Sequence, residues 1–140
     1  MDFVMTANTK KVVLITGASG GIGSATVALF HQKGWQVIGV DRGDPSECFP
    51  NDGLYIHADI SNPSDIEGIY ARASQFSKRL NAVVNNAAIQ ISKPLLETTV
   101  EEWDAVMASN LRSVFLGARL AYPLLCRSDS SAIVNVSSVH

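Results

Sequence analysis

Residues 12–23 read VVLITGASGGIG. Val12, Val13, Leu14 and Ile15 are a short run of β-prone apolar residues, the mark of a strand buried on both faces. The run breaks into Thr16-Gly17-Ala18-Ser19-Gly20-Gly21-Ile22-Gly23, and a stretch of helical apolar spacing follows. Gly17, Gly21 and Gly23 sit where a chain must turn tightly and let its backbone approach something closely. A helix beginning there offers free N–H groups and the positive end of its dipole, which suits a phosphate. The segment reads as a dinucleotide-binding turn. A glycine-rich loop with no ligand is the plainer alternative, and the rest of the chain decides between them.

Outward from this turn, strand and helix signals alternate. Ile22 to Lys33 predicts a helix with Ile22, Ala25, Leu29 and Phe30 near one face, ended by Gly34. Trp35 to Asp41 predicts a second strand and Leu54 to His57 a third. Asn62-Pro63-Ser64-Asp65 supplies an N-cap, a first-turn proline and an early acid for a helix running to about Phe76. Ala82 to Asn85 is the fourth strand. Thr99-Val100-Glu101-Glu102 fits a capping box that opens a long helix to about Cys126, with Pro123 loosening its final turn. Ala132 to Val136 is the fifth strand. Apolar strands alternating with helices predict an α/β fold, a doubly wound, Rossmann-like parallel sheet covered on both faces, with strand order 3-2-1-4-5. Residues 1–10 read as an N-terminal tail and 11–140 as one domain that stops after the fifth strand.

Composition narrows the function classes. A chain of 140 residues, 46% apolar and 17% charged, is long enough and apolar enough to bury a core. A net charge of −2 without a basic run argues against nucleic acid or an anionic membrane surface as partner. No window approaches the roughly 18 uninterrupted apolar residues of a membrane span. Cys48 and Cys126 are far apart, which suggests ordinary thiols in a reducing cytoplasm, and His31, His57 and His140 form no ligand pattern, so no metal site is expected.

Sheets of this kind bind ligands at the carboxyl ends of their strands, and chemistry-bearing residues fall at those ends. Asp41 closes the second strand, where a carboxylate accepts hydrogen bonds from both ribose hydroxyls of an adenosine and repels a 2′-phosphate. That favours NAD over NADP. The adjacent Arg42 argues the other way, since a guanidinium there would attract the phosphate, and Asp41 could also be a turn acid before Gly43. Asp59-Ile60 follows the third strand, Asn85-Asn86-Ala87-Ala88 ends the fourth, and Asn135-Val136-Ser137-Ser138 ends the fifth.

Thr16-Gly17-x-x-x-Gly21-x-Gly23 differs from the common G-x-G-x-x-G fingerprint and resembles the turn of the short-chain dehydrogenase/reductase family. The resemblance extends from Lys11 to His140. It implies that Thr16, Gly17, Ser19, Gly20, Gly21, Ile22 and Gly23 hold the dinucleotide. It also implies that Asp59 contacts the adenine amino group while Ile60 lines the adenine pocket; read without the family, Asp59 is equally a helix-capping acid. Asn86, Ala87 and Ala88 resemble the family's Asn-Asn-Ala-Gly segment, with small residues against the nucleotide and asparagines tying strand ends. Ala88 stands where glycine is usual. If that position takes a positive φ, alanine is strained by roughly 1 kcal/mol or more. Trp103, Asn110 and Gly117 resemble the helix in which an asparagine supports an active-site water, although a mid-helix asparagine is often just locally bonded. Ser138 matches the family's catalytic serine, which hydrogen-bonds the substrate oxygen, and Ser137 its structural neighbour.

The implied activity is hydride transfer between a nicotinamide cofactor, NAD or with Arg42's help NADP, and a secondary alcohol or ketone. The family's tyrosine, with a lysine four residues later, falls past His140; Tyr55, Tyr70 and Tyr122 are followed at that spacing by Asp59, Ser74 and Cys126. Hydride transfer at a carbinol carbon also needs a proton moved at the oxygen, which Ser138 cannot do alone. The 140 residues are therefore expected to be inactive alone and to cover a little over half of the family's fold. A nucleotide-binding module or pseudoenzyme is the alternative. A fifth strand with no further neighbour leaves an apolar parallel edge. The family resemblance also makes the helix Val100 to Cys126 a candidate homo-oligomer interface.

Overall fold

The computed structural model describes residues 10–138. The N-terminal tail expected over 1–10 lies outside them except for its last residue, as do Val139 and His140. The elements follow in the order β1 (Val12–Thr16), α1 (Gly21–Gln32), β2 (Gln36–Asp41), β3 (Leu54–His57), α2 (Pro63–Phe76), β4 (Ala82–Asn85), α3 (Val100–Met107), α4 (Ser113–Leu125) and β5 (Ala132–Asn135). All strands pair in parallel in one sheet of order β3-β2-β1-β4-β5, the doubly wound arrangement expected from the alternation.

β1 lies at the centre because each of its five residues is buried, so its side chains must meet apolar partners on both faces. Even-numbered Val12 and Leu14 join Ile38, Val40, Ile56 and Val83 on one face, sealed by Ile66, Ile69, Tyr70 and Ala73 of α2 and Ala121, Leu124 and Leu125 of α4. Odd-numbered Val13 and Ile15 join Val37, Ala82 and Val84 on the other, against Ala18 and Val27 with Phe30, Trp35, Phe49 and Tyr55 around them. The two-residue strand period makes these two cores from one run of sequence. Each fully buried Leu or Ile contributes about 1.5–3 kcal/mol relative to exposure.

α1 does not bury the face that its apolar spacing suggests. Ile22 is 64% and Leu29 54% exposed, and Ala25 is also exposed, while Gly23 and Val27 are buried and Phe30 is half-buried. The reason is steric: Gly23 packs directly on the β1–α1 turn, and this contact sets the helix's rotation. Gly34, at φ +81°, ends α1 as expected, with the Gly34 N–H donating to the His31 carbonyl at 2.9 Å and Trp35 N–H to Phe30 at 3.1 Å.

The long helix is present but not uniform. Thr99 and Glu102 form the capping box, and Lys93 also bonds the Glu102 carboxylate. Between α3 and α4, residues Ala108–Arg112 widen into a π-helical turn, and a single 3₁₀ turn, Leu95–Glu97, precedes α3. Pro123 is accommodated in the last turn of α4. β5 forms the sheet edge among the described residues, with Ile133, Val134 and Val136 each about half exposed.

Candidate functional site

The carboxyl ends of β1, β2, β3 and β4 converge on a cleft of about 520 Å³, within the roughly 300–1,000 Å³ range of small-molecule sites. Its floor is the β1–α1 turn. Gly17 adopts φ +69°, a conformation that favours glycine, and a Cβ there would lie 2.7 Å from Asn86 Nδ2 and 2.9 Å from Ala87 Cα. A Cβ on Gly23 would sit 1.8 Å from the Gly17 carbonyl oxygen. Both glycines are therefore needed to fold the turn itself. Gly21 is different: a Cβ there meets nothing within 4 Å, and the residue lines the open cleft. Among the described residues no side chain caps α1, whose N-cap is Gly20, and none is a partner of the N–H groups of its first turn at Gly21, Ile22 and Gly23. They are available to an anion, with the helix dipole behind them.

Asp41 stands at the next strand end. Its Oδ2 accepts from the Ser19 N–H and its Oδ1 from the Gly43 N–H, both at 3.0 Å. Burial pushes the Asp41 carboxyl up, but these hydrogen bonds outweigh it and hold the group below the usual carboxylate range. The acid thus does serve the turn before Gly43, and its two oxygens keep further lone pairs for a ligand. Arg42 Nη1 lies 3.6 Å from Asp59 Oδ2 across the cleft. Asp59 Oδ1 accepts from Ser61 N–H at 2.9 Å and Ser61 Oγ at 2.7 Å. These bonds, joined by Arg42, keep the Asp59 carboxyl below its ordinary range. The N-cap of α2 is Asn62, whose Oδ1 accepts from the Ser64 N–H at 3.1 Å; Asp59 stands ahead of the helix and bonds Ser61.

Asn86 and Thr16 lock the fourth strand end to the first. Asn86 Nδ2 donates to the Thr16 carbonyl at 3.1 Å and the Gly17 carbonyl at 3.3 Å. Thr16 Oγ1 accepts from the Asn86 and Ala87 N–H groups, each at 3.1 Å. Asn85 Nδ2 donates to Asn135 Oδ1 at 2.8 Å, extending the tie to β5. Ala88 carries no strain of the kind considered from its sequence, because no non-glycine residue among those described has a positive φ.

Gly17, Ser19, Gly20, Gly21, Ile22, Gly23, Asp41, Arg42, Asp59, Ile60, Asn86, Ala87 and Ala88 all line this one cleft. Thr16, Asn110 and Ser138 are not among its lining residues. Thr16 is buried and acts through the backbone it fixes. Asn110 lies in the π-helical turn, where its Oδ1 accepts from the Ile89 N–H at 2.9 Å and its Nδ2 donates to the Ile89 carbonyl at 2.8 Å. It clamps the loop that carries Ala87 and Ala88. Ser138 follows β5 at the same carboxyl edge of the sheet and is exposed. Val40, Ala58, Ile89 and Ser109 also line the cleft and were not anticipated; Val40 and Ala58 immediately precede Asp41 and Asp59, which was the available signal. Ser109 had none, being an ordinary small residue within a helical pattern.

The geometry fits a dinucleotide: a glycine cradle at a helix start, a carboxylate at the second strand end, and small residues at the fourth. Comparison with known proteins agrees. The family model described as short chain dehydrogenase matches residues 11–140. The chain is 35% identical over 138 residues to a cyclopentanol dehydrogenase of Comamonas sp., covering 93% of this chain and 55% of that protein. Among solved structures, it superposes on the ligand-free aldohexose dehydrogenase of Thermoplasma acidophilum with TM-score 0.86 and 32% identity, over 93% of this chain and 50% of that one. A 3-ketoacyl-(acyl-carrier-protein) reductase from Brucella melitensis, complexed with NADH, matches with TM-score 0.84 and 29% identity, over 91% and 57%. The chain spans about half the length of the curated relatives it matches. It belongs to the short-chain dehydrogenase family.

Proposed function

We propose that these residues form the cofactor-binding portion of an NAD-dependent oxidoreductase acting on a secondary alcohol or ketone. The observation that carries the reading is the convergence of the β1–α1 turn, Asp41, Asp59 and Asn86–Ala88 on one cleft. In this reading the free N–H groups at the start of α1 bind the pyrophosphate, Asp41 accepts from the ribose hydroxyls, and Ile60 lies against the adenine with Asp59 at its amino group. Asn86, Ala87 and Ala88 present backbone to the nicotinamide half. When bound, the dinucleotide supplies the hydride acceptor or donor. Asn110 holds the Ile89 loop and supports a water near the reacting oxygen, and Ser138 donates a hydrogen bond to that oxygen. The cyclopentanol and aldohexose dehydrogenases among its relatives support an alcohol substrate.

No tyrosine among the 140 residues is followed four positions later by a lysine, so in this reading these residues bind the cofactor and orient the substrate oxygen, and the proton transfer is not assigned to them. An exposed stripe of Val100, Trp103, Leu111, Phe115 and Tyr122 along α3, the π-helical turn and α4 supports the homo-oligomer contact on this helix. Two exposed free cysteines suit a reducing cytoplasm.

The test is calorimetric titration of the full-length protein with NAD and NADP, followed by absorbance assays on a panel of cyclic and open-chain secondary alcohols. Heat with NAD and NAD-dependent turnover are expected. Binding without turnover on any alcohol or ketone supports the nucleotide-binding module instead, and no heat with either dinucleotide overturns the cofactor reading.

A further inference from the structure

The adenosine end of the cleft carries one permanent cation that a 2′-phosphate could use, Arg42, and it faces a carboxylate. Arg42 Nη1 is 3.6 Å from Asp59 Oδ2, and His57 Nε2 is 3.9 Å from Asp44 Oδ1. Asp41, one residue from Arg42 and paired in register with His57, adds a third carboxylate. Asp59 is itself fixed from behind: Ser61 N–H and Oγ hold one oxygen, and the Asp59 N–H is bound by Asp65 Oδ2 at 2.9 Å. The carboxylate that faces Arg42 is therefore rigidly placed, whereas the arginine, two-thirds exposed, is a long side chain with many rotamers. Of the two partners, Asp59 sets the geometry and Arg42 follows it.

We propose that Asp59 is a specificity-determining residue that acts through Arg42. By holding the guanidinium across the adenine side of the cleft, it withdraws the one permanent cation that would otherwise receive the 2′-phosphate of NADP. This rests on the dinucleotide reading above and resolves the conflict between Asp41 and Arg42. The arginine next to the ribose acid is then a poorer phosphate receptor, because a carboxylate held in place by Ser61 lies 3.6 Å from its guanidinium. Rejection of the extra phosphate then has two sources, direct repulsion by Asp41 and sequestration of Arg42 by Asp59. An exposed pair of this kind is worth up to about 1 kcal/mol, or about five-fold in an equilibrium.

The experiment is a double-mutant cycle in the full-length protein, D59N, R42A and D59N/R42A, titrated calorimetrically with 5′-AMP, 2′-phospho-5′-AMP, NAD and NADP. In D59N the affinity for each 2′-phosphorylated ligand relative to its unphosphorylated counterpart should rise by up to about five-fold. The gain should vanish in D59N/R42A. Raised salt should erase it as well, since the freed guanidinium acts by charge. A D59N variant that weakens or strengthens both members of each ligand pair alike assigns Asp59 a merely structural role and overturns the inference. So does a gain that persists in D59N/R42A, which would mean simple removal of a negative charge. Wild-type protein that binds none of the four ligands overturns the cofactor reading instead, and the inference with it.

Discussion

Replacing Gly23 by alanine tests the turn on which the whole cleft is built. The added Cβ would lie 1.8 Å from the Gly17 carbonyl oxygen, 2.7 Å from its carbon and 3.1 Å from Ala18 Cα. All three are backbone atoms, so no flexible side chain can move aside. Relieving the contact to an ordinary separation of about 3.5 Å requires α1 and the turn to part by more than 1 Å. That displacement would loosen Val27 and Phe30, which pack below Gly23 on the same helix face. Overpacking of this kind costs about 1–3 kcal/mol and more where backbone must shift, so we expect about 3 kcal/mol. With about 2.1 cal/mol/K of unfolding entropy per residue over 140 residues, Tm should fall by about 10 °C. G21A is the matched control. Its Cβ meets nothing within 4 Å, and alanine in a helix gains up to about 1 kcal/mol over glycine, so its Tm should hold or rise slightly. Its dinucleotide affinity should nevertheless fall, because the methyl group enters the cleft. Calorimetric melting of both variants decides the matter, and G23A melting with the wild type would refute the packing argument.

Three further outcomes follow from the same geometry. T16V keeps the side chain's shape but orphans the Asn86 and Ala87 N–H groups at a buried position, and urea unfolding should show a loss of about 2 kcal/mol. N110A removes both bonds to Ile89; because the site is exposed and water can replace them, stability should fall by only about 1 kcal/mol, while hydrogen exchange at Ile89 accelerates. Asp41 and Asp59 have depressed folded-state carboxyl pKa values, so their stabilisation is present above the unfolded value and is lost as pH falls through the folded one. D41N should accordingly be less stable than wild type at neutral pH and converge with it in acid, as read by denaturant unfolding across that range.

How far these features were legible in the sequence depends on whether a local pattern sufficed. Val12–Ile15 read as a doubly buried strand from its β-prone residues and its length, and Asn62 and Thr99 announced helix starts because capping chemistry is local. The buried face of α1 was not legible. Its apolar residues suggested Ile22 and Leu29, whereas the packing face is dictated by a glycine whose role depends on a carbonyl six residues earlier. The π-helical turn at Ala108–Arg112 has no composition signal, and it places Asn110 on Ile89, a contact between residues 21 apart. Thr16 stood at the right strand end, yet its hydroxyl serves the backbone just after β4, at Asn86 and Ala87, rather than the cleft. The Arg42–Asp59 pair joins two strand ends that neighbour each other only once the sheet order is known.

The most direct test of the account is the amide NMR spectrum of isotope-labelled protein titrated with NAD. Shifts should concentrate at Gly20 to Gly23, Asp41 and Arg42, Asp59 and Ile60, and Ala87 and Ala88, the four strand ends of the cleft. Shifts centred elsewhere, or an unchanged spectrum at saturating NAD, would contradict the assignment of this cleft as the dinucleotide site.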